Sequence, residues 1–182
     1  FSSTHGVMLE SLDEPIGMPM VIFMDPPEHD AMRKLVSRAF TPRRINDLEA
    51  HVQEVVDTYL DPLVGSSGFD YIEQFGAVLP PMVIGHMLGV PEADRDMLRK
   101  WFDESLHIEE DGKPGPAAEQ AMGEVFEYAS AMVTERRANP RDDMISALVE
   151  AEVEENGEHR RLSDLEVGMF VLLLAGRPSA GG

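Results

Sequence analysis

Cysteine is absent from all 182 residues. No disulfide framework can form, and nothing marks an oxidising compartment. The six histidines (His5, His29, His51, His86, His107 and His159) are scattered, with no His-Glu-x-x-His and no Cys-His spacing, so a zinc centre is not expected. Positive charge is scarce. Fifteen Lys and Arg face 34 Asp and Glu, a formal net charge of -19, which argues against non-specific nucleic-acid binding. There is no uncharged span long enough to cross a bilayer and no recognisable secretory leader, so a cytoplasmic protein is the simplest expectation. Gly-x-Ser-x-Gly and the dinucleotide-binding glycine fingerprint are missing. Gly65-Ser66-Ser67-Gly68 is no phosphate loop, because no Gly-Lys-Ser/Thr follows. No internal repeat is evident, and no pair of carboxylates can be placed in a shared cleft.

What remains is a composition, 43% hydrophobic and 27% charged, of a soluble globular protein, long enough for one domain or part of one. Residues 7 to 24, with Met8, Met18, Met20 and Met24, read as a loop with one short helix; methionine adapts to irregular packing. From Ile45, the apolar positions Leu48, Val52, Val55, Val56, Tyr59, Leu60 and Leu63 keep helical spacing up to the Gly65–Gly68 break. Phe69 to Ile72 fits one short strand. Phe75 to Leu88 is mostly apolar, with Pro80-Pro81 inside it and His86 as a core or boundary residue. A helix follows Pro91, through Met97, Leu98, Trp101, Phe102 and Leu106. Residues 109 to 116 hold two Gly and two Pro and cannot be regular. Ala117 to Ala138 is a long amphipathic helix on Ala121, Val125, Tyr128, Met132 and Val133, and Met144 to about Glu152 a shorter one on Ile145, Leu148 and Val149. Glu150 to Glu158 reads as a solvated loop. Ser163-x-x-Glu166 is a capping box that opens the uncharged run Val167 to Gly176, a helix too short to span a membrane and therefore buried. The fold class is mainly α.

One stretch departs from the overall charge. Between Ala31 and Asn46 there is no acidic residue but five cations: Arg33, Lys34, Arg38, Arg43 and Arg44. Asp25 can cap a helix there, with Pro26 pre-set for its first turn, and Thr41-Pro42 marks where one helix ends and the next begins. His29 and Arg33, four apart, share a face; Leu35, Val36, Ala39 and Phe40 can face a core. On spacing alone this is either a solvated basic face or an anion site, since Arg and His supply the donors that planar carboxylates need.

The string Asp25-Pro26-Pro27-x-His29-x-x-x-Arg33, continuing to Phe40-Thr41-Pro42, resembles the C helix of bacterial cytochrome P-450 proteins. The resemblance implies that His29 and Arg33 bind the propionates of haem b. It also implies that the basic stretch meets an acidic ferredoxin- or flavodoxin-type electron donor. Leu79-Pro80-Pro81 through Gly89-Val90-Pro91 resembles the family's E helix and the turn that leaves it. The two helices around residues 109 to 116 resemble its F and G lid helices, although a plain helical hairpin has the same pattern. Val167 to Gly176 resembles the first half of the I helix, and Ala175 and Gly176 match its oxygen-pocket pair. Arg177, Pro178 and Ser179 then depart from the family pattern. Ser179 keeps an alcohol near the expected Thr, so proton delivery is not assignable, and 177–182 is a non-matching tail.

By this resemblance, residues 1–176 are a partial domain, helices C to the first half of I, without the amino-terminal sheet and the carboxy-terminal half that carries the haem thiolate. A thiolate ligand needs a Cys, which this chain cannot supply. The activity implied for the complete protein is insertion of one oxygen atom from O2 into a small apolar substrate. The alternative from another class is a non-catalytic helical interaction protein with a basic recognition helix.

Overall fold

The computed structural model describes residues 2–5, 20–109, 114–155 and 157–175. As expected, the chain is mainly α-helical. The helices are α1 (Glu28–Ala39), α2 (Pro42–Leu60), α3 (Leu79–Leu88), α4 (Glu92–Ser105), α5 (Pro116–Ala138), α6 (Met144–Glu150) and α7 (Asp164–Ala175), and one hairpin joins β1 (Glu152–Glu155) to β2 (Glu158–Arg161). The elements group into two compact units, one of Phe1–Thr41 with Ala129–Leu173, the other built on Pro42–Tyr128.

In the second unit, α2 opens at the Thr41-Pro42 boundary and ends in a 3-10 turn at Asp61–Leu63, after which Gly65 takes a left-handed φ of 86°. The strand expected at Phe69 to Ile72 does not form. Asp70 instead accepts from the Glu73 amide at 2.9 Å, and Gln74 Oε1 accepts from the Asp70 amide at 2.8 Å. These local side-chain bonds favour a turn over an extended ladder, and a π-helical turn follows at Ile72–Gly76. Pro80 and Pro81 are not inside α3 but in its first turn, where a missing N–H costs no helical bond. At the other end Gly89 adopts φ 76°. The Val90 amide reaches the Gly85 carbonyl at 2.8 Å and the Gly89 amide that of His86 at 3.0 Å, a Schellman closure. The Tyr128 hydroxyl donates to Asp94 at 2.7 Å and ties α5 to α4.

In the first unit, α6 is capped by Asp143, which accepts from the Ser146 amide at 2.8 Å. Ile145, Leu148 and Val149 are buried, as the helical spacing predicts, and Met144 is buried with them. The loop expected over Glu150 to Glu158 is largely the hairpin. Its register sets Glu152 opposite Arg161, an opposite-charge pair, and Glu155 opposite Glu158, a like-charge pair beside the turn, while Val153 is buried. The sequence signal for it is Asn156-Gly157, a dipeptide that favours two-residue hairpin turns, and Gly157 has φ 83°.

The capping box ahead of α7 forms as read. Ser163 Oγ accepts from the Glu166 amide at 3.2 Å, and Glu166 accepts from the Ser163 amide at 2.8 Å. Glu166 is also buried and receives both terminal nitrogens of Arg160 at 2.8 Å. Burial pushes its carboxyl up, but the Arg160 fork and the Ser163 donors outweigh that and hold it below the usual carboxylate range. Arg137, near the end of α5, pairs with Asp164 and donates to the carbonyls of Val149 at 3.3 Å and Leu162 at 2.6 Å. One guanidinium thus gathers the end of α6, the end of the hairpin and the start of α7. From Glu166 to Val171 the helix is buried; burial relaxes at Leu172 and Leu173, and Leu165 is exposed. Burying Phe170 and Val171 contributes on the order of 2 kcal/mol each.

Because Glu166 is held charged, its stabilisation is present above the ordinary carboxyl value of 4.5 and is lost as pH falls through the lower folded value. We expect Glu166→Gln to lower stability at neutral pH by about 1–3 kcal/mol and to flatten the acid limb of a stability–pH curve. Denaturant titrations across that range check this, and an unchanged acid limb would contradict it.

Candidate functional site

The candidate face lies on α1. Pro27, preceded by a cis Pro26–Pro27 peptide, occupies the cap position, and no side chain caps the helix. The Asp25 carboxylate does not serve the first turn. It accepts from Ser2 Oγ at 2.6 Å and from the Ser3 amide at 2.9 Å, and the Ser2 hydroxyl and Ser3 amide draw its carboxyl below the usual range. Only its carbonyl serves the helix, accepting from the His29 amide at 3.1 Å. A distant partner has won over the local cap.

Met32 and Leu35 are buried at 4% exposure each, and α1 packs on α6 and β1. Phe40, expected in the core, is instead exposed at the helix end. Given that phase, His29 falls at the edge of the buried side, its side chain 30% exposed, and Arg33 stands one turn on, exposed. His29 Nδ1 lies 3.2 Å from Asp30 Oδ1, which leaves Nε2 as the free edge of the ring. The pair offers an imidazole N–H and a guanidinium fork on adjacent turns, donors suited to carboxylates.

The five cations fall on two elements: Arg33, Lys34 and Arg38 on α1, Arg43 and Arg44 on α2. Lys34 lines a groove with Ala31, Leu35, Glu150, Glu152, Val153, Glu154, Gly157 and His159, so its surroundings are acidic. Arg43 is exposed, 3.9 Å from Asp47. Ala175 is the last described residue of α7. Gly176, Ser179 and the tail 177–182 lie outside the described residues, as do Met8, Met18 and 110–113 of the linker. The Arg160–Glu166 and Arg137–Asp164 pairs escaped the sequence reading, because no local pattern announces which cation a capping glutamate meets. Among the described residues no group of three or more His, Asp or Glu could hold a metal ion. No described helix is long and apolar enough to cross a membrane.

Comparison with known proteins decides the family. No protein-family model matches the chain. A steroid C26-monooxygenase of Mycolicibacterium smegmatis is 39% identical over 183 residues, which cover 96% of this chain and 42% of that protein. The erythromycin C-12 hydroxylase of Saccharopolyspora erythraea is 37% identical over 182 residues, covering 97% and 44%. The substrate-free structure of CYP109E1 from Bacillus megaterium superposes with a TM-score of 0.77 at 28% identity, covering 96% of this chain and 46% of that one. The chain belongs to the cytochrome P450 family. It is a partial P450 fold, spanning less than half the length of these relatives.

If Asp25 anchors residues 2–5 rather than capping α1, Asp25→Ala should speed proteolytic cleavage within that segment and leave helix content unchanged. Limited proteolysis beside circular dichroism checks this; lost helicity with unchanged cleavage would restore the cap.

Proposed function

We propose that the complete polypeptide is a haem-dependent monooxygenase that inserts one oxygen atom from O2 into an apolar organic substrate, with electrons from a redox partner. The single observation that carries this reading is the 39% identity to a named monooxygenase along nearly the whole chain. The same likeness weighs against a non-catalytic interaction protein. We read residues 1–176 as part of the domain that performs this reaction, in the cytoplasm, and 177–182 as a tail outside it.

The donor set on α1 fits haem b. His29 and Arg33 would hold its two carboxylates, the guanidinium by a charged fork and the imidazole by one N–H. The haem, when bound, supplies the oxygen-activating chemistry; the polypeptide binds and orients it. Its thiolate ligand would come from outside these 182 residues, which hold no cysteine. Ala175 and Gly176 are proposed to line the space beside the iron, where small residues permit close approach. Arg33 and Lys34 are exposed and would steer an acidic ferredoxin- or flavodoxin-type donor, with Arg38, Arg43 and Arg44 adding to the field.

The test is spectroscopic. The complete protein, reduced under carbon monoxide, should show the Soret band of thiolate haem, and the 182-residue chain alone should not. In the complete protein, Arg33→Ala and His29→Ala should each lower haem retention, most at Arg33, where a carboxylate would lose its cation. Unchanged haem content in both variants would remove these residues from the site. Lys34→Glu should slow reduction by an acidic donor at low ionic strength and converge with wild type at high salt; equal rates at low salt would contradict the docking assignment.

A further inference from the structure

Within the second unit, His51 of α2 and His86 of α3 stack face to face, ring centroids 3.9 Å apart and planes inclined by 17°. His51 Nδ1 lies 3.5 Å from Glu54, while its Nε2 is buried with no hydrogen-bond partner. His86 is exposed along one edge, but its ring face is covered by His51. A neutral imidazole stacks here without electrostatic cost; an imidazolium must give up water on its covered face.

The surrounding groups favour the neutral state on balance. Burial against the helix pair comes first, then the neighbouring His51 ring and then Arg95 of α4, and together they hold the His86 imidazole below its ordinary value of 6.5, with Glu54 opposing. Asp47 and Asp57 of α2 line the same open groove. Glu73 is the titratable group on the 72–76 turn packed against both helices, and it is exposed.

We propose that the His51–His86 stack makes the α2–α3 junction an acid-sensitive seam, closed while the His86 ring is neutral and loosened when it is protonated. The sign follows from linkage. A histidine whose folded value is depressed binds fewer protons folded than unfolded, so its stabilisation is complete above the ordinary value and is lost as pH falls below it. The proposal is independent of the haem reading, since it uses only the geometry of two helices.

The experiment is amide hydrogen exchange by mass spectrometry on the full 182-residue chain at about pH 5 and about pH 8, the window in which imidazoles titrate. Rates are normalised to the intrinsic exchange rate at each pH. Segments 42–60 and 79–90 should lose protection several-fold at the lower pH, while 144–150, in the other unit, holds. His86→Phe and His51→Phe keep a stacking ring without the charge, and each should abolish the acid-induced loss. On the unmodified chain, the protection midpoint should coincide with the His86 ring titration followed by NMR, which needs no variant to fold. The proposal is overturned by an equal acid-induced loss in both variants, by midpoints that do not coincide, or by absent protection at about pH 8.

Discussion

What α1 can present depends on its rotation about its own axis, and that rotation is set by two side chains. Met32 and Leu35 are buried where the helix packs on α6 and β1. With 3.6 residues per turn, burying these two puts His29 at the margin and Arg33 outside. A helix turned by a third of a revolution would bury the guanidinium and lose the apolar contacts together. The surface that α1 packs on is itself held from behind. Arg160 holds Glu166 at the start of α7, and Arg137 gathers α6, the hairpin and α7 through Val149, Leu162 and Asp164. Glu166 is buried but Arg160, Arg137 and Asp164 are partly exposed, so these pairs are modest sources of net stability and chiefly fix geometry.

Local chemistry was legible in the residues at the helix boundaries and caps, where the competing forces were also local. Thr41-Pro42 separates α1 from α2, and Ser163 with Glu166 forms the capping box that the spacing predicts. The buried faces of α5 and α6 follow the helical period. The reading failed at Asp25, where a partner far along the chain intervened, and at two places where a local turn signal was passed over. Asp25 looked like a cap, yet its carboxylate is taken by Ser2 and Ser3. Phe69 to Ile72 had strand-like residue types, but Asp70 and Gln74 close a turn around them. The hairpin at 152–161 was hidden by its glutamates, although Asn156-Gly157 was there to be read.

The candidate site divides in the same way. That His29 and Arg33 share a face is a consequence of helical spacing and needs no tertiary information. Which way that face points is decided by Met32, and Met32 was not among the residues first assigned to the core. Sequence also gave no warning that Lys34 would lie in a groove with three glutamates. An acidic electron donor approaching α1 would meet those carboxylates as well as the cations, so the field there is mixed in sign rather than uniformly attractive. The family assignment rests on likeness along the whole chain. The role proposed for the two donors rests on their chemistry and their place on α1.

The central claim is that one turn of α1 is built to hold a pair of carboxylates. A crystal structure of the complete polypeptide with its haem tests it most directly. The account predicts His29 Nε2 and the Arg33 guanidinium within hydrogen-bond reach, about 3 Å, of the two haem carboxylates, with Met32 and Leu35 still buried. Carboxylates held by other side chains, with His29 and Arg33 left to solvent or to protein partners, would contradict it.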